Sequence, residues 1–276
     1  MADHEILEKC NAAAARIRRR VVDMAFRAGK TETHLGGSLS MVDLLAGLYI
    51  GNLRYQKDRP DWEDRDRVIL SKGHAAMALY AVLAEAGIIG EEELETFKQD
   101  GSRLGGHPSL NGLPGIEFAS GSLGQGLSQG VGVSMALNKM NRPESRVYVF
   151  LGDGECDEGS VWEAAASAAH FRLDNLTAVI DLNGLQYDGA TREVLNMEPM
   201  ERKWQAFGWD TMAIDGHNMR GILEAFRRRG SAPLAVIART VKGKGISFTE
   251  NNWEFHTASL SGEQYRQAIE ELETKG

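Results

Sequence analysis

The chain has 276 residues, 42% of them hydrophobic and 25% charged, with a formal net charge of −8. Such a composition predicts one large folded domain or two small ones and excludes a disordered chain. The acidic balance argues against a nucleic-acid surface, and only two cysteines, Cys10 and Cys156, exclude a disulfide scaffold and fit a reducing compartment.

Residues 4–28 read as a helix with Ile6, Ala13, Ile17, Val21 and Met24 on one face. The arginines at 16, 18, 19 and 20 give this segment the look of an organelle transit peptide. Asp3, Glu5 and Glu8 oppose that reading, and no apolar stretch of a signal peptide is present. No run approaches the ~18 apolar residues of a membrane span, so a cytoplasmic protein without a membrane partner is expected. Residues 29–37 read as a Gly/Thr-rich loop and 38–53 as a helix with Ser40 as a candidate N-cap. Val68-Ile69-Leu70 is a short buried strand, and His74 opens a helix running to about residue 85. Residues 101–122 form a long loop of the kind that usually carries function. Residues 123–140 return to helix.

The pattern then becomes regular. Residues 147–151 form an apolar strand, 159–172 an alanine-rich helix and 176–182 a second strand. This βαβ unit demands parallel pairing. Strands at 209–214 and 234–240 flank a helix near 220–229, and the last 16 residues read as helix. The expected fold is α/β, a mostly parallel central sheet with helices on both faces, in one domain over residues 1–276. The 31 glycines against six prolines read as loops where backbone approaches a ligand closely.

Asp153 lies in the turn Gly152-Asp153-Gly154 where one strand ends, and Asn183 lies where the next strand ends. Both strand ends of a right-handed βαβ unit share one edge of the sheet, where α/β proteins bind ligands. A carboxylate and an amide oxygen converging there are hard donors suited to Mg²⁺ or Ca²⁺. A helix N-terminus attracts phosphate, but a carboxylate beside it repels a bare diphosphate, and a divalent cation between them resolves the conflict. A lone Gly-Asp-Gly is more simply a tight turn with a capping Asp; Asn183 at this spacing, with Gly184, Asp188 and Gly189 after it, favours the metal-bridged diphosphate.

Together, Gly152-Asp153-Gly154-Glu155-Cys156-Asp157-Glu158-Gly159 and Asp181-Leu182-Asn183-Gly184 closely resemble the thiamine diphosphate signature of transketolases and their relatives. Asp66-Arg67-Val68-Ile69-Leu70-Ser71-Lys72-Gly73-His74-Ala75, Gly106-His107-Pro108 and Gly121-Ser122-Leu123-Gly124-Gln125-Gly126 resemble further blocks of that family, in its order. Thr33-His34-Leu35-Gly36-Gly37 stands where the family usually reads GHPGG. The resemblance covers residues 15–258 and implies a subunit that binds the diphosphate and metal of thiamine diphosphate and serves two-carbon ketol transfer from a ketose or ketose phosphate to an aldose.

It further implies that Asp153, Asn183 and the Leu185 carbonyl hold the metal, and that His74 and His256 contact the diphosphate. His34 and His107, with His256, are the implied catalytic histidines, His34 and His107 facing the sugar hydroxyls. Gly121, Leu123, Gly152, Gly154 and Glu158 complete the expected cofactor contacts. Glu158 matches a dimer-interface glutamate of the family and reads equally well as a carboxylate stabilised by a helix N-terminus. His4, His170 and His217 read as a surface, a helix-end and a turn residue, and the cysteines receive no role. The family's pyrimidine-binding and C-terminal domains have no counterpart in the 276 residues. The expected partner is therefore a transketolase C-terminal subunit, in an α₂β₂ heterotetramer. Rival readings are the α subunit of a 2-oxoacid dehydrogenase, a deoxyxylulose phosphate synthase-like enzyme, and a non-enzymatic subunit on the same fold. The His74 and His107 blocks favour sugar chemistry.

Overall fold

The computed structural model describes residues 2–275; Met1 and Gly276, the ends of the expected domain range, lie outside the described residues. The chain begins with α1 (Ala2–Arg27), whose Ala13, Ile17, Val21 and Met24 are buried and whose Ile6 packs at the core margin. Helices α2 (Leu35–Leu39) and α3 (Val42–Gly51) lead to strand β1 (Arg67–Leu70), and α4 (Ala76–Glu85) follows a short 3₁₀ turn at Gly73–Ala75. Residues 101–122 hold neither helix nor strand. Then come α5 (Gly126–Lys139), β2 (Val147–Gly152), α6 (Gly159–His170) and β3 (Leu176–Leu182). A small hairpin of β4 (Leu185–Gln186) and β5 (Gly189–Ala190) precedes α7 (Thr191–Val194) and α8 (Met200–Ala206). Strand β6 (Asp210–Asp215), α9 (Met219–Arg227), β7 (Leu234–Arg239) and α10 (Gly262–Lys275) complete the fold.

The main sheet has the order β1-β2-β3-β7-β6, with every neighbour parallel. Side chains alternate across a strand, and here both faces are apolar. Tyr148, Phe150, Val179, Val236 and Ala238 join the core beneath α1, α3, α4 and α9. Val147, Val149, Leu151, Ala178, Ile180 and Ile237 join the other core, beneath α5, α6 and α8. Burial on both faces explains why the strands read as continuous apolar runs rather than as alternating ones. Helices therefore cover both faces, as the βαβ pattern requires.

Most boundaries agree with the sequence expectation to within two residues, and the larger differences lie around Ser40 and at the start of α5. The helix expected over 38–53 is two helices broken at Ser40-Met41, and Leu35–Leu39 is already helical inside the expected loop. Ser40 is not an N-cap: Met41 holds that position, and the Ser40 hydroxyl is spent on the buried Asp181 carboxylate. The helix expected from 123 starts at Gly126, because Gly124 has a φ of +78° and cannot continue a right-handed helix.

Candidate active site

Because all five strands are parallel, their carboxyl ends share one edge. Ser71-Lys72-Gly73-His74 leaves β1 there, Asp153 leaves β2, Asn183 leaves β3 and Lys242 follows β7. Lys72, His74, Asp153, Asn183 and Lys242 line a cavity of about 320 Å³ together with Gly37, Leu123, Gly152, Gly154, Glu158, Leu185, Gln186, Tyr187 and His256. This is where doubly wound sheets place ligands.

Four histidines from four distant segments form one cluster, of which His74 and His256 line the cavity and His34 and His107 pack against them outside its lining. The His34 ring lies 5.7 Å from His74, 5.2 Å from His107 and 5.6 Å from His256, and His74 lies 5.3 Å from His256. A two-way backbone bridge between Thr33 and Ala258 brings the His34 and His256 segments together. Gly36 and Gly37 permit the approach: a Cβ on Gly37 would lie 2.9 Å from the His74 ring, and one on Gly36 3.1 Å from the Lys242 side chain. So His34 reaches the cluster without the glycine and proline that usually flank it in the resembling family. Gly121 packs with Ser120 over Gly73 and lies beside the His107 ring. The other three histidines stay outside. His4 is exposed, His170 ends α6 beside Phe171, and His217 pairs with Asp43.

The expected metal donors converge. Asp153 accepts the Gly154 N–H at 2.9 Å and the Gly184 N–H at 2.6 Å. Asn183 Oδ1 accepts the Leu185 N–H at 3.1 Å. The Leu185 carbonyl accepts from the Lys242 ammonium at 3.0 Å, so a cationic group already sits at that oxygen. Among the described residues no group of three or more His, Cys, Asp or Glu side chains could hold a metal by itself. One carboxylate, one amide oxygen and one carbonyl leave positions that phosphate oxygens and water would complete. Gln186 Oε1 and Asp157 Oδ1 are buried at this cavity with no hydrogen-bond partner. The residues present fit a diphosphate held through a divalent cation.

Charge tells the same story. Burial, helped by neighbouring charge, lowers His34 to about 4, with His107, Lys98 and Lys242 adding to it. His256 is lowered to about 3 by burial and Lys242. His74 is held well below its ordinary value by burial and Lys72, and His107 is lowered by burial and Lys98. Lys242 falls to about 8 through burial and the nearby Lys72 ammonium. Asp153 rises to about 6 through burial and Asp181. Burial first, then the neighbouring ammoniums, disfavours charge on the imidazoles, and burial with Asp181 disfavours charge on Asp153. A bound dianion would relieve the first conflict and a cation the second.

Sequence reasoning missed the buried charges beneath the site. Lys72 pairs with Asp181, which also accepts from the Ser40 and Thr240 hydroxyls. Burial alone would raise Asp181, but Lys72 and these hydroxyls hold it below the usual carboxylate range. Glu155 is buried and accepts from Ser71, from Gly124 N–H at 2.9 Å and from Gly152 N–H at 3.0 Å, stapling three site loops. Burial raises its carboxyl above the ordinary value, against the pull of these bonds. Glu158 is exposed at the start of α6 and makes no side-chain capping bond.

The sequence matches the family described as "Transketolase, thiamine diphosphate binding domain" over residues 10–275. It is 42% identical over 258 residues to one subunit of the apulose-4-phosphate transketolase of Phocaeicola vulgatus, covering 92% of this chain and 90% of that one. It is 43% identical over 246 residues to the 6-deoxy-6-sulfo-D-fructose transketolase subunit SqwG of a Clostridium species, covering 88% and 89%. The fold superposes on the transketolase of Leishmania mexicana with a TM-score of 0.89 and 30% identity, over 96% of this chain. The chain spans only 41% of that solved enzyme, yet nearly all of the two subunits. These likenesses support the transketolase reading over the 2-oxoacid dehydrogenase and deoxyxylulose phosphate synthase-like alternatives. The chain belongs to the transketolase family, as its N-terminal thiamine diphosphate-binding part.

Proposed function

We propose that this chain is the diphosphate-binding subunit of a two-chain transketolase that moves a two-carbon ketol unit from a ketose phosphate, or a like-charged ketose, to an aldose. The observation that carries the reading is one cavity lined by His74, His256, Lys72, Lys242, Asp153, Asn183 and Leu185, with the His34 and His107 rings packed against its histidines. Thiamine diphosphate, when bound, supplies the electron sink for breaking and remaking a carbon–carbon bond beside a carbonyl.

The residues divide the remaining work. Asp153, Asn183 and the Leu185 carbonyl hold Mg²⁺ or Ca²⁺, and Lys72, His74, Lys242 and His256 face the diphosphate. Gly121, Leu123, Gly152, Gly154 and Glu158 line its bed. His34, at the centre of the cluster, and the exposed His107 orient the sugar hydroxyls. Neutral at pH 7, they and His256 can accept and return a hydroxyl proton. A sugar phosphate also meets a site rich in nitrogen donors.

Residues 1–276 form one domain in this reading, and the partner supplies the pyrimidine-binding and C-terminal domains in an α₂β₂ assembly. Two relatives of matching length are named as transketolase subunits, which supports a two-chain enzyme. The free, buried Cys10 and Cys156 suit the cytoplasm, and among the described residues no helix is long and apolar enough to cross a membrane. The test mixes this chain with the pyrimidine-domain chain, thiamine diphosphate and Mg²⁺, and follows transfer from ketose phosphates to aldoses. Transfer that needs all four components is expected. A complex that binds the cofactor yet turns over no ketose would refute the assignment.

A further inference from the structure

His217 follows β6 in the turn Asp215-Gly216-His217-Asn218, away from the histidine cluster, and its ring is engaged at both nitrogens. Nδ1 lies 2.8 Å from Asp43 Oδ2 in α3, and Nε2 accepts the Val241 N–H at 2.9 Å. A backbone N–H aimed at Nε2 requires a lone pair there, so the ring proton sits on Nδ1 and is donated to Asp43. The same Asp43 oxygen accepts from Arg18 of α1 at 2.8 Å, and Arg18 Nε donates to the Lys244 carbonyl at 3.1 Å. All three side chains are largely buried.

Val241 is where the chain leaves the sheet. Thr240 N–H still donates to the Leu182 carbonyl, whereas Val241, one residue on, finds its acceptor in the His217 ring. The next residue is Lys242, whose ammonium reaches the Leu185 carbonyl at 3.0 Å and His256 Nδ1 at 3.0 Å. Gly243 then turns with a φ of +77°, and a Cβ there would lie 2.2 Å from the Thr249 carbonyl. Asn251 N–H donates to the Lys242 carbonyl at 2.9 Å and Gly243 N–H to the Gly36 carbonyl at 3.0 Å, and in so tight a turn a shift of Val241 carries Lys242 with it.

We infer that His217 is a positioning residue: its Nδ1-protonated ring, braced by Asp43, anchors Val241 and thereby aims the Lys242 ammonium into the diphosphate site. The inference rests on the reading of that cavity as a thiamine diphosphate site. A merely structural role would make the ring a partner for the Asp43–Arg18 pair and nothing more.

Two amide substitutions separate these roles, because asparagine places its amide nitrogen near Nδ1 and glutamine places its carbonyl oxygen near Nε2. His217→Asn keeps a donor for Asp43 and loses the acceptor for Val241. His217→Gln keeps the acceptor for Val241 and leaves Asp43 to Arg18. The variants are compared in the full chain with its partner chain. Thiamine diphosphate affinity with Mg²⁺ is measured by calorimetry and stability by thermal melting. Amide exchange over residues 240–245 is read in the cofactor-free chain.

The expected result is that His217→Asn loses about tenfold or more in cofactor affinity, the size of an outer-shell effect. Its 240–245 amides should exchange faster, while His217→Gln stays near wild type in both. The opposite ranking, equal losses that follow melting temperature alone, or no loss in either variant would overturn the inference. Should His217→Asn not fold, His217→Gln decides: retained affinity and protection support the inference, and loss of either overturns it. Wild type that binds no cofactor even with its partner would sink the cofactor reading instead, and the exchange ranking would still judge the anchoring.

Discussion

The Asp153 carboxylate accepts the Gly184 N–H at 2.6 Å and thereby ties the end of β2 to the end of β3 across the proposed metal position. Its second oxygen accepts the Gly154 N–H, so one side chain shapes both turns that carry the oxygen donors. Asp153→Ala removes the proposed ligand and strands two backbone donors. Metal-dependent binding of thiamine diphosphate should fall by at least about 100-fold. The two freed N–H groups should cost about 2 kcal/mol of stability while the fold persists. Calorimetry on the reconstituted complex checks the first effect and thermal melting the second; unchanged affinity would overturn the ligand assignment.

The histidines should separate by where they stand. His74 lines the cavity beside Lys72, Gly152 and Asp153, whereas His107 is exposed and touches the cluster through His34. His74→Ala should mainly weaken cofactor affinity, because a diphosphate contact exists in the ground state. His107→Ala should leave cofactor affinity intact and raise the donor KM or lower kcat/KM. If both variants changed cofactor affinity alone, and equally, the division of roles would be wrong.

The strands and the Asp153–Asn183 pairing were legible because they are local. Apolar runs, glycine turns and the βαβ length specify parallel pairing, and parallel pairing puts strand ends together. The buried lysines were not legible. In the sequence Lys72 is only one member of a family block and Lys242 has no assigned role, because only tertiary packing buries them beside Asp181 and Leu185. Glu155 was hidden in the same way, since its three partners come from the ends of two strands and a distant loop. Ser40 misled as an N-cap because a serine before an apolar stretch has that local signature, while its real partner, Asp181, lies on the distant strand β3. The β4–β5 hairpin has two residues per strand, too few for a period of two to register.

The histidine cluster should make the cofactor-free chain acid-labile. All four imidazoles are lowered, to about 4 for His34 and about 3 for His256, against an unfolded value near 6.5. Between those values the unfolded chain binds protons that the folded chain refuses. Asp153, raised to about 6, opposes this below pH 6 but is one group against four imidazoles, so stability rises with pH in that window and is lost progressively as pH falls below about 6.5. The melting temperature of the cofactor-free protein should drop steadily from pH 7 to pH 5. His256→Gln, which removes one such group, should shallow the slope, and a slope identical to wild type would contradict the placement of His256.

The isolated chain should be inactive. The proposed site supplies metal ligands, ammoniums and imidazoles at one sheet edge, and that edge is open. Tyr187, Val194, Leu195 and Trp253 are exposed. Leu195 lines a second cavity of about 420 Å³ that shares Asp153, Asn183 and Leu185 with the first. Apolar side chains left in water next to a cofactor site mark a surface that another chain covers. The occupant proposed is the pyrimidine-domain subunit, because the cofactor's other half must be held from this side. Purified chain with thiamine diphosphate and Mg²⁺ should transfer no ketol unit between any sugar pair. Activity should appear on adding the partner and level off near one partner per chain. Leu195→Glu should raise the partner concentration needed for half-maximal activity while leaving the melting temperature nearly unchanged, since the side chain is already half exposed. Robust turnover by the pure chain, with no partner detected by mass spectrometry, would overturn the two-chain reading.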